Sequence, residues 1–279
     1  MVYSGEFTQK AIEATREWTE RPLIQRRVLP LYRLGKQELK ISPNGDGPIN
    51  CIVDEGTFNG FGVSEMFTSG DQYIRNMISI DVDPDILQVA AARKDLQTEM
   101  HNGRLLLAQM DARNLALPYN YADLITCIEV IGVAQGTDSE QFSLDDVNAV
   151  LSQARQVLKG DGAFIMTFRD EAVASAIHNV DWSFEIEKLK GLALNKKVIT
   201  ELIDEYFFEA HLWGQILMRD NGEMPGIYVP TNDDSGSLQF LWKEEAFAPV
   251  PEPVINTLAS VGQVYYPHYW AVVAKHPRK

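Results

Sequence analysis

Four strand-like runs, each ending in a carboxylate or a tight turn, constrain this chain more than any other feature. Cys51-Ile52-Val53-Asp54 runs into a glycine-bearing loop, Gly56-Thr57-Phe58-Asn59-Gly60-Phe61-Gly62. Met77 to Ile80 ends on Asp81, Leu105 to Gln109 leads to Asp111-Ala112, and Leu124 to Ile128 ends on Glu129. Strands alternating with helical stretches predict a mostly parallel sheet with helices on both faces. Ligands of such sheets bind outside the carboxyl ends of the strands. The spacing therefore predicts a nucleoside cofactor laid across one edge.

The segments between these strands carry their own punctuation. Asp83 followed by Pro84 reads as an N-cap and first helical turn. Leu144, Val147, Val150, Leu151, Ala154, Val157 and Leu158 recur at helical spacing and predict a buried stripe. Ser143 with Asp146 resembles a capping box, and Gly160 sits where a C-terminal cap belongs. A strand over Ala163–Phe168, a helix near Lys197–Tyr206 and strands over Glu209–Leu217 and Trp270–Ala274 complete the pattern. Residues from about Phe7 to Leu34 read as helix divided by Pro22 and Pro30, and residues 41–48 as a turn-rich linker. From about Met218 to Tyr269 runs a long stretch with many prolines and glycines, whose length in a compact domain points to a functional loop or lid.

Charge narrows the partners. Lys and Arg total 25 against 39 Asp and Glu, a net charge of -14. Such a surface repels phosphate backbones, so the expected substrate is a small molecule and no nucleic acid. The best basic patch, Arg16, Arg21, Arg26, Arg27 and Arg33, reads equally as a solvated helix face. No run approaches the roughly 20 apolar residues of a membrane span. The N-terminus has neither the basic nor the apolar region of a signal peptide, and the expected location is cytoplasmic, with no membrane partner. Cys51 and Cys127 fall in apolar strands without metal-ligand spacing and read as buried free thiols. Neighbouring first and fourth strands could bring the two sulfurs close. Oligomeric state is not legible.

The chemistry rests on the strand ends. Glycines before a helix N-terminus let backbone approach a ligand. An acid at the end of the second strand, about 20 residues past the glycines, can accept both ribose hydroxyls. Asp81 stands there. NAD-binding units share that acid, but Asp111 followed by Ala112 suits an adenine edge, with a carboxylate for the amino group and a backbone N–H for a ring nitrogen.

With these residues in place, the chain resembles the class I S-adenosylmethionine (SAM) methyltransferases, in particular the group acting on small molecules. Residues 52–62 look like that family's glycine motif and Ile78-Ser79-Ile80-Asp81-Val82-Asp83-Pro84 like its ribose segment. Asp111-Ala112-Arg113-Asn114-Leu115-Ala116-Leu117-Pro118-Tyr119 is similar to its adenine segment. Residues 122–130 resemble its fourth strand, and residues 155–162 the turn before its fifth. The resemblance implies a Rossmann-like, mostly parallel seven-stranded sheet. It also implies a helical cap over residues 1–40 and a SAM-binding domain over 41–279, with a lid-like insert at 218–269. S-adenosyl-L-methionine is the cofactor implied. The cofactor-binding candidates are Asp54, Gly56, Phe58, Gly60, Asp81, Val82, Asp111, Ala112 and Glu129.

Two departures stand out. The middle glycine of the motif is replaced by Phe58, whose ring either crowds the cofactor's methionine part or turns away. Val133 occupies the position at which relatives often carry a histidine base. Asp54 reads either as a contact to the cofactor's amino group or as a cap of its own turn, and Glu129 as site wall or helix cap. Of the five histidines, His178 and His268 lie in segments that can face an acceptor and are the candidate bases. No cluster has metal spacing. The expected activity is methyl transfer to oxygen, nitrogen or carbon of a small-molecule or carrier-tethered acceptor. The alternative is a methyltransferase-fold protein that binds a ligand without transferring methyl.

Overall fold

The computed structural model describes residues 31–39, 48–68, 74–128, 130–131, 143–168, 196–215, 247–248 and 269–278. An eight-stranded sheet forms its centre. The strands are β1 (Ile52–Glu55), β2 (Met77–Asp81), β3 (Leu105–Gln109), β4 (Ala122–Cys127), β5 (Leu158–Phe168), β6 (Phe207–Gln215), β7 (Phe247–Ala248) and β8 (Tyr269–Pro277). They lie in the order β3-β2-β1-β4-β5-β8-β6-β7. Neighbours from β3 to β5 are parallel, and β8 runs antiparallel between β5 and β6. The two-residue β7 adds an eighth strand to the expected seven, from inside the stretch read as an insert. The rest of that insert, the linker over 41–47, residues 1–30 with their basic patch, and Val133 lie outside the described residues.

Among the described residues, six helices accompany the sheet: α1 (residues 31–38), α2 (Phe61–Thr68), α3 (Pro84–Ala91), α4 (Lys94–His101), α5 (Leu144–Val157) and α6 (Lys196–Tyr206). Because successive strand residues point to opposite faces, the sheet builds two cores. Val53, Ile78, Ile80, Ile125 and Cys127 meet Val147, Leu151 and Ala154 of α5 and Ile199 of α6 on one face. Ile52, Met77, Leu124 and Ile165 meet Leu31 and Tyr32 of α1 and Val63 and Met66 of α2 on the other. The described part of the expected N-terminal cap is thus bound into the main core.

The helix starts form as their residues predict. Asp83 accepts the N–H groups of Asp85 and Ile86, with Pro84 opening α3. Ser143 and Asp146 cap α5 reciprocally. The end of α5 differs from expectation. The helix stops at Val157, and Leu158 is already extended and begins β5, so Gly160 lies inside a strand and caps nothing. Leu144 also leaves the expected stripe. In the first turn of α5 it is 45% exposed, while Val147, Val150, Leu151, Ala154 and Val157 are buried.

The two cysteines are buried and free, but they lie far apart. Cys127 pairs in register with Glu55, at the carboxyl end of β1. Cys51 sits four residues back, roughly 13 Å away along the strand. Neighbouring strands therefore do not bring the sulfurs together.

Candidate functional site

The carboxyl ends of β1, β2 and β3 converge on one loop. Leaving β1, the backbone turns sharply. Gly56, Phe58 and Gly60 have φ of 85°, 47° and 75°, all in the left-handed region. Two of these positions belong to glycine on steric grounds. A Cβ on Gly56 would come within 2.4 Å of Val130, and one on Gly60 within 2.7 Å of Leu96. Phe58 keeps the left-handed backbone that glycine adopts freely, at a cost of roughly 1–2 kcal/mol. The glycine-motif path is thus retained without its middle glycine. The Phe58 side chain is half-buried.

Hydrogen bonds pin this loop to β2. The N–H groups of Gly56 and Thr57 both donate to the Ile80 carbonyl, at 2.8 and 2.9 Å. Beneath them lies a closed polar network. Asp54 accepts from Ser79 Oγ at 2.7 Å and from Thr126 Oγ1 at 2.8 Å, and Ser79 Oγ also meets Thr57 Oγ1. Both Asp54 oxygens are thereby engaged in holding β1, β2, β4 and the loop together. Burial raises its pKa to about 6, against the two hydroxyls that favour the anion.

Asp81 stands at the lip of the same loop. Its Oδ2 accepts the Phe58 N–H and its Oδ1 the Asp83 N–H, both at 3.1 Å. Each oxygen keeps a further lone pair for an external donor. Burial pushes its pKa up, countered by the backbone N–H groups. Beside it, the Val82 carbonyl accepts from the Gln109 side-chain amide at 3.1 Å.

Asp111 is brought to this edge but is not a free carboxylate. The Arg113 guanidinium grips both of its oxygens, with Nη2 at 2.7 Å from Oδ2, and reaches Asp146 with Nη1 at 2.7 Å. Against partial burial, these bonds hold the Asp111 carboxyl below its usual range. Arg113 thereby ties the segment after β3 to the first turn of α5. Ala112 is buried next to it.

Asp54, Gly56, Phe58, Gly60, Asp81, Val82, Asp111 and Ala112 therefore share one edge of the sheet. Glu129, His178 and His268 lie outside the described residues. Of the described histidines, His211 and His276 flank Glu209 on strands remote from the loop. No group of three metal-ligating side chains occurs among the described residues.

One residue of this edge was not singled out from the sequence. Glu55, between Asp54 and Gly56, is completely buried, and no nitrogen or oxygen donor reaches either carboxylate oxygen. Among the described residues, the Cys127 thiol is its only polar companion capable of donation. The signal was present: alternation along β1 places residue 55 on the same inward face as Val53.

Residues 54–166 match the methyltransferase domain family. Over that span, less than half of the chain, the sequence is similar to a methyltransferase domain. Solved structures share its fold. The methyltransferase domain of a bacterial CtHen1 aligns with a TM-score of 0.55 at 12% identity, covering 91% of this chain and 99% of that one. A SAM-dependent methyltransferase of Thermotoga maritima gives 0.52 at 14% identity, covering 96% and 99%. A Haloferax volcanii methyltransferase, solved with the activator Trm112, gives 0.52 at 13% identity, covering 99% and 100%. No curated protein matches the chain by sequence. Among the described residues, no helix is long and apolar enough to cross a membrane.

Proposed function

We propose that SAM lies across the carboxyl ends of β1, β2 and β3, and that its methyl group passes to oxygen, nitrogen or carbon of a small-molecule or carrier-tethered acceptor. The observation that carries this reading is Asp81. It is oriented by two backbone N–H groups and has lone pairs left for the two ribose hydroxyls. Gly56, Phe58 and Gly60 bend the loop so that its backbone borders the methionine part, while Val82 and Ala112 border the adenosine. Asp111 accepts the adenine amino group only by sharing its oxygens with Arg113.

Within this arrangement Asp54, buried beneath the loop and bonded to Ser79 and Thr126, orients it. Glu129, His178 and His268 remain candidates for the acceptor side. The bound cofactor supplies an activated methyl on a sulfonium. The chain's own contribution is then alignment of donor and acceptor, with a base needed only where the acceptor must lose a proton.

A small acceptor follows from charge. A net charge of -14 disfavours a polyanionic substrate. Incubation of a cell extract with methyl-labelled SAM and the protein tests this. The label is expected in the low-mass or carrier-bound fraction. Label recovered in bulk RNA or DNA, with steep salt dependence, would contradict the reading.

A further inference from the structure

Glu55 is explained neither by the fold nor by the cofactor contacts above. It fills an inward position of the central strand, in register with Ile80 on β2 and Cys127 on β4. Both of its oxygens are buried, with no nitrogen or oxygen donor in reach. The titratable groups facing it are Asp54 on its own strand, Asp111 after β3 and the Cys127 thiol on β4. Among the described residues, no cation faces it. A buried carboxylate without a cation is costly, so the group stays protonated, and burial raises its pKa to about 8. An apolar residue would fill the same place at no such cost. The very next residue, Gly56, opens the loop that borders the cofactor.

The two forms of the cofactor differ by one charge. SAM carries a sulfonium and an ammonium, whereas S-adenosylhomocysteine (SAH), left after methyl transfer, has a neutral thioether sulfur. We propose that Glu55 is a charge-selecting residue. It ionises when the sulfonium occupies the adjacent loop and regains its proton when the sulfur becomes neutral, so that substrate cofactor is favoured over product cofactor. This inference rests on the placement of SAM proposed above. The sign follows from linkage: the ligand that favours the ionised acid releases a proton below the acid's free pKa, and its affinity rises with pH in that range. Charge balances across the cycle. The methyl passes to the acceptor and the proton that the acceptor releases, or one from solvent, passes to Glu55, so that a sulfonium beside a carboxylate becomes a thioether beside a carboxylic acid.

The test is calorimetric titration of the full chain with SAM and with SAH near pH 6.5, in two buffers of different ionisation enthalpy. Wild type is expected to release about one more proton with SAM than with SAH. The cofactor amino group titrates near neutrality as well, but its contribution is common to wild type and to Glu55→Gln. The Gln variant is expected to lose the extra proton. Relative to that variant, the wild-type preference for SAM over SAH should rise about tenfold between pH 6.5 and 7.5. Glu55→Met serves if the Gln variant does not fold, and the wild-type difference between ligands stands without either. Equal proton release in wild type and variants, with both ligands bound, overturns this inference alone. Failure of either ligand to bind wild type overturns the cofactor placement and the inference with it.

Discussion

The two edges of the sheet treat their acids in opposite ways. At the amino edge, described acids meet cations. Asp123 lies 2.6 Å from Lys159, Glu99 pairs with Arg104, and Lys275 bridges Glu38 at 2.6 Å and Glu209 at 3.2 Å. Those pairs fasten helix α1 and strands β4, β5, β6 and β8 to each other. At the carboxyl edge Asp54, Glu55 and Asp81 are buried or half-buried with no ion-pair partner among the described residues, and burial raises the pKa of each. Only Asp111 has a guanidinium. A protein evolved for stability alone gains nothing from unpaired buried acids. One edge is joinery, while the other leaves Asp54, Glu55 and Asp81 without ion pairs, as the cofactor placement proposed above requires.

This contrast predicts unequal responses to mutation. The largest concerns Glu55. Its folded pKa of about 8 lies above the ordinary 4.5. The folded state therefore retains a proton that the unfolded state gives up as pH rises through that interval. The contribution of this one group to stability is full below about pH 4.5 and is lost by about pH 8, a change of up to roughly 5 kcal/mol. Glu55→Met should remove that slope and be the more stable protein at pH 8–9 in urea unfolding. Parallel pH profiles for the two would mean that Glu55 has an unrecognised partner.

At the opposite edge, Lys275→Met removes the cation shared by Glu38 and Glu209. The lysine is buried, but its partners are partly open to water, so the loss should be about 2 kcal/mol. SAM affinity should not change, because the cluster lies across the sheet from the loop. A large fall in affinity without a fall in stability would erase the division between the edges.

The smallest expected effect is at Phe58. Glycine there relieves the left-handed backbone but adds freedom to the unfolded chain, and the two offset to within about 1 kcal/mol. SAM affinity should shift by less than about fivefold, roughly 1 kcal/mol. Appearance of SAM binding only in Phe58→Gly would show that the ring blocks the site.

Much of this architecture is legible in the chain because it depends on local chemistry. Asp83-Pro84 and Ser143 with Asp146 announce helix starts through side chains that bond backbone two or three residues on. Strand ends declare themselves by a carboxylate after an apolar run. What escaped depends on contacts distant in sequence. The direct passage from Val157 into β5 carries no turn residue, because Leu158 is recruited by pairing with Ala122 on β4. Arg113 lies within the adenine-like segment, yet its grip on Asp111 and Asp146 is set by where α5 begins. Glu55 reads as a neighbour of Asp54, and only the flanking strands make it a buried acid without a nitrogen or oxygen donor among the described residues. The bonds of Asp54 to Ser79 and Thr126 were likewise not legible, because those hydroxyls arrive from other strands.

In the arrangement proposed above, the carboxyl edge holds SAM and Asp81 holds its ribose. Calorimetric titration of wild type and Asp81→Ala with SAM tests this most directly. Loss of a carboxylate that accepts both hydroxyls should cost roughly 1.5–3 kcal/mol, a weakening of at least about tenfold, with the folded state retained. Equal affinity of the two proteins for SAM would contradict the assignment.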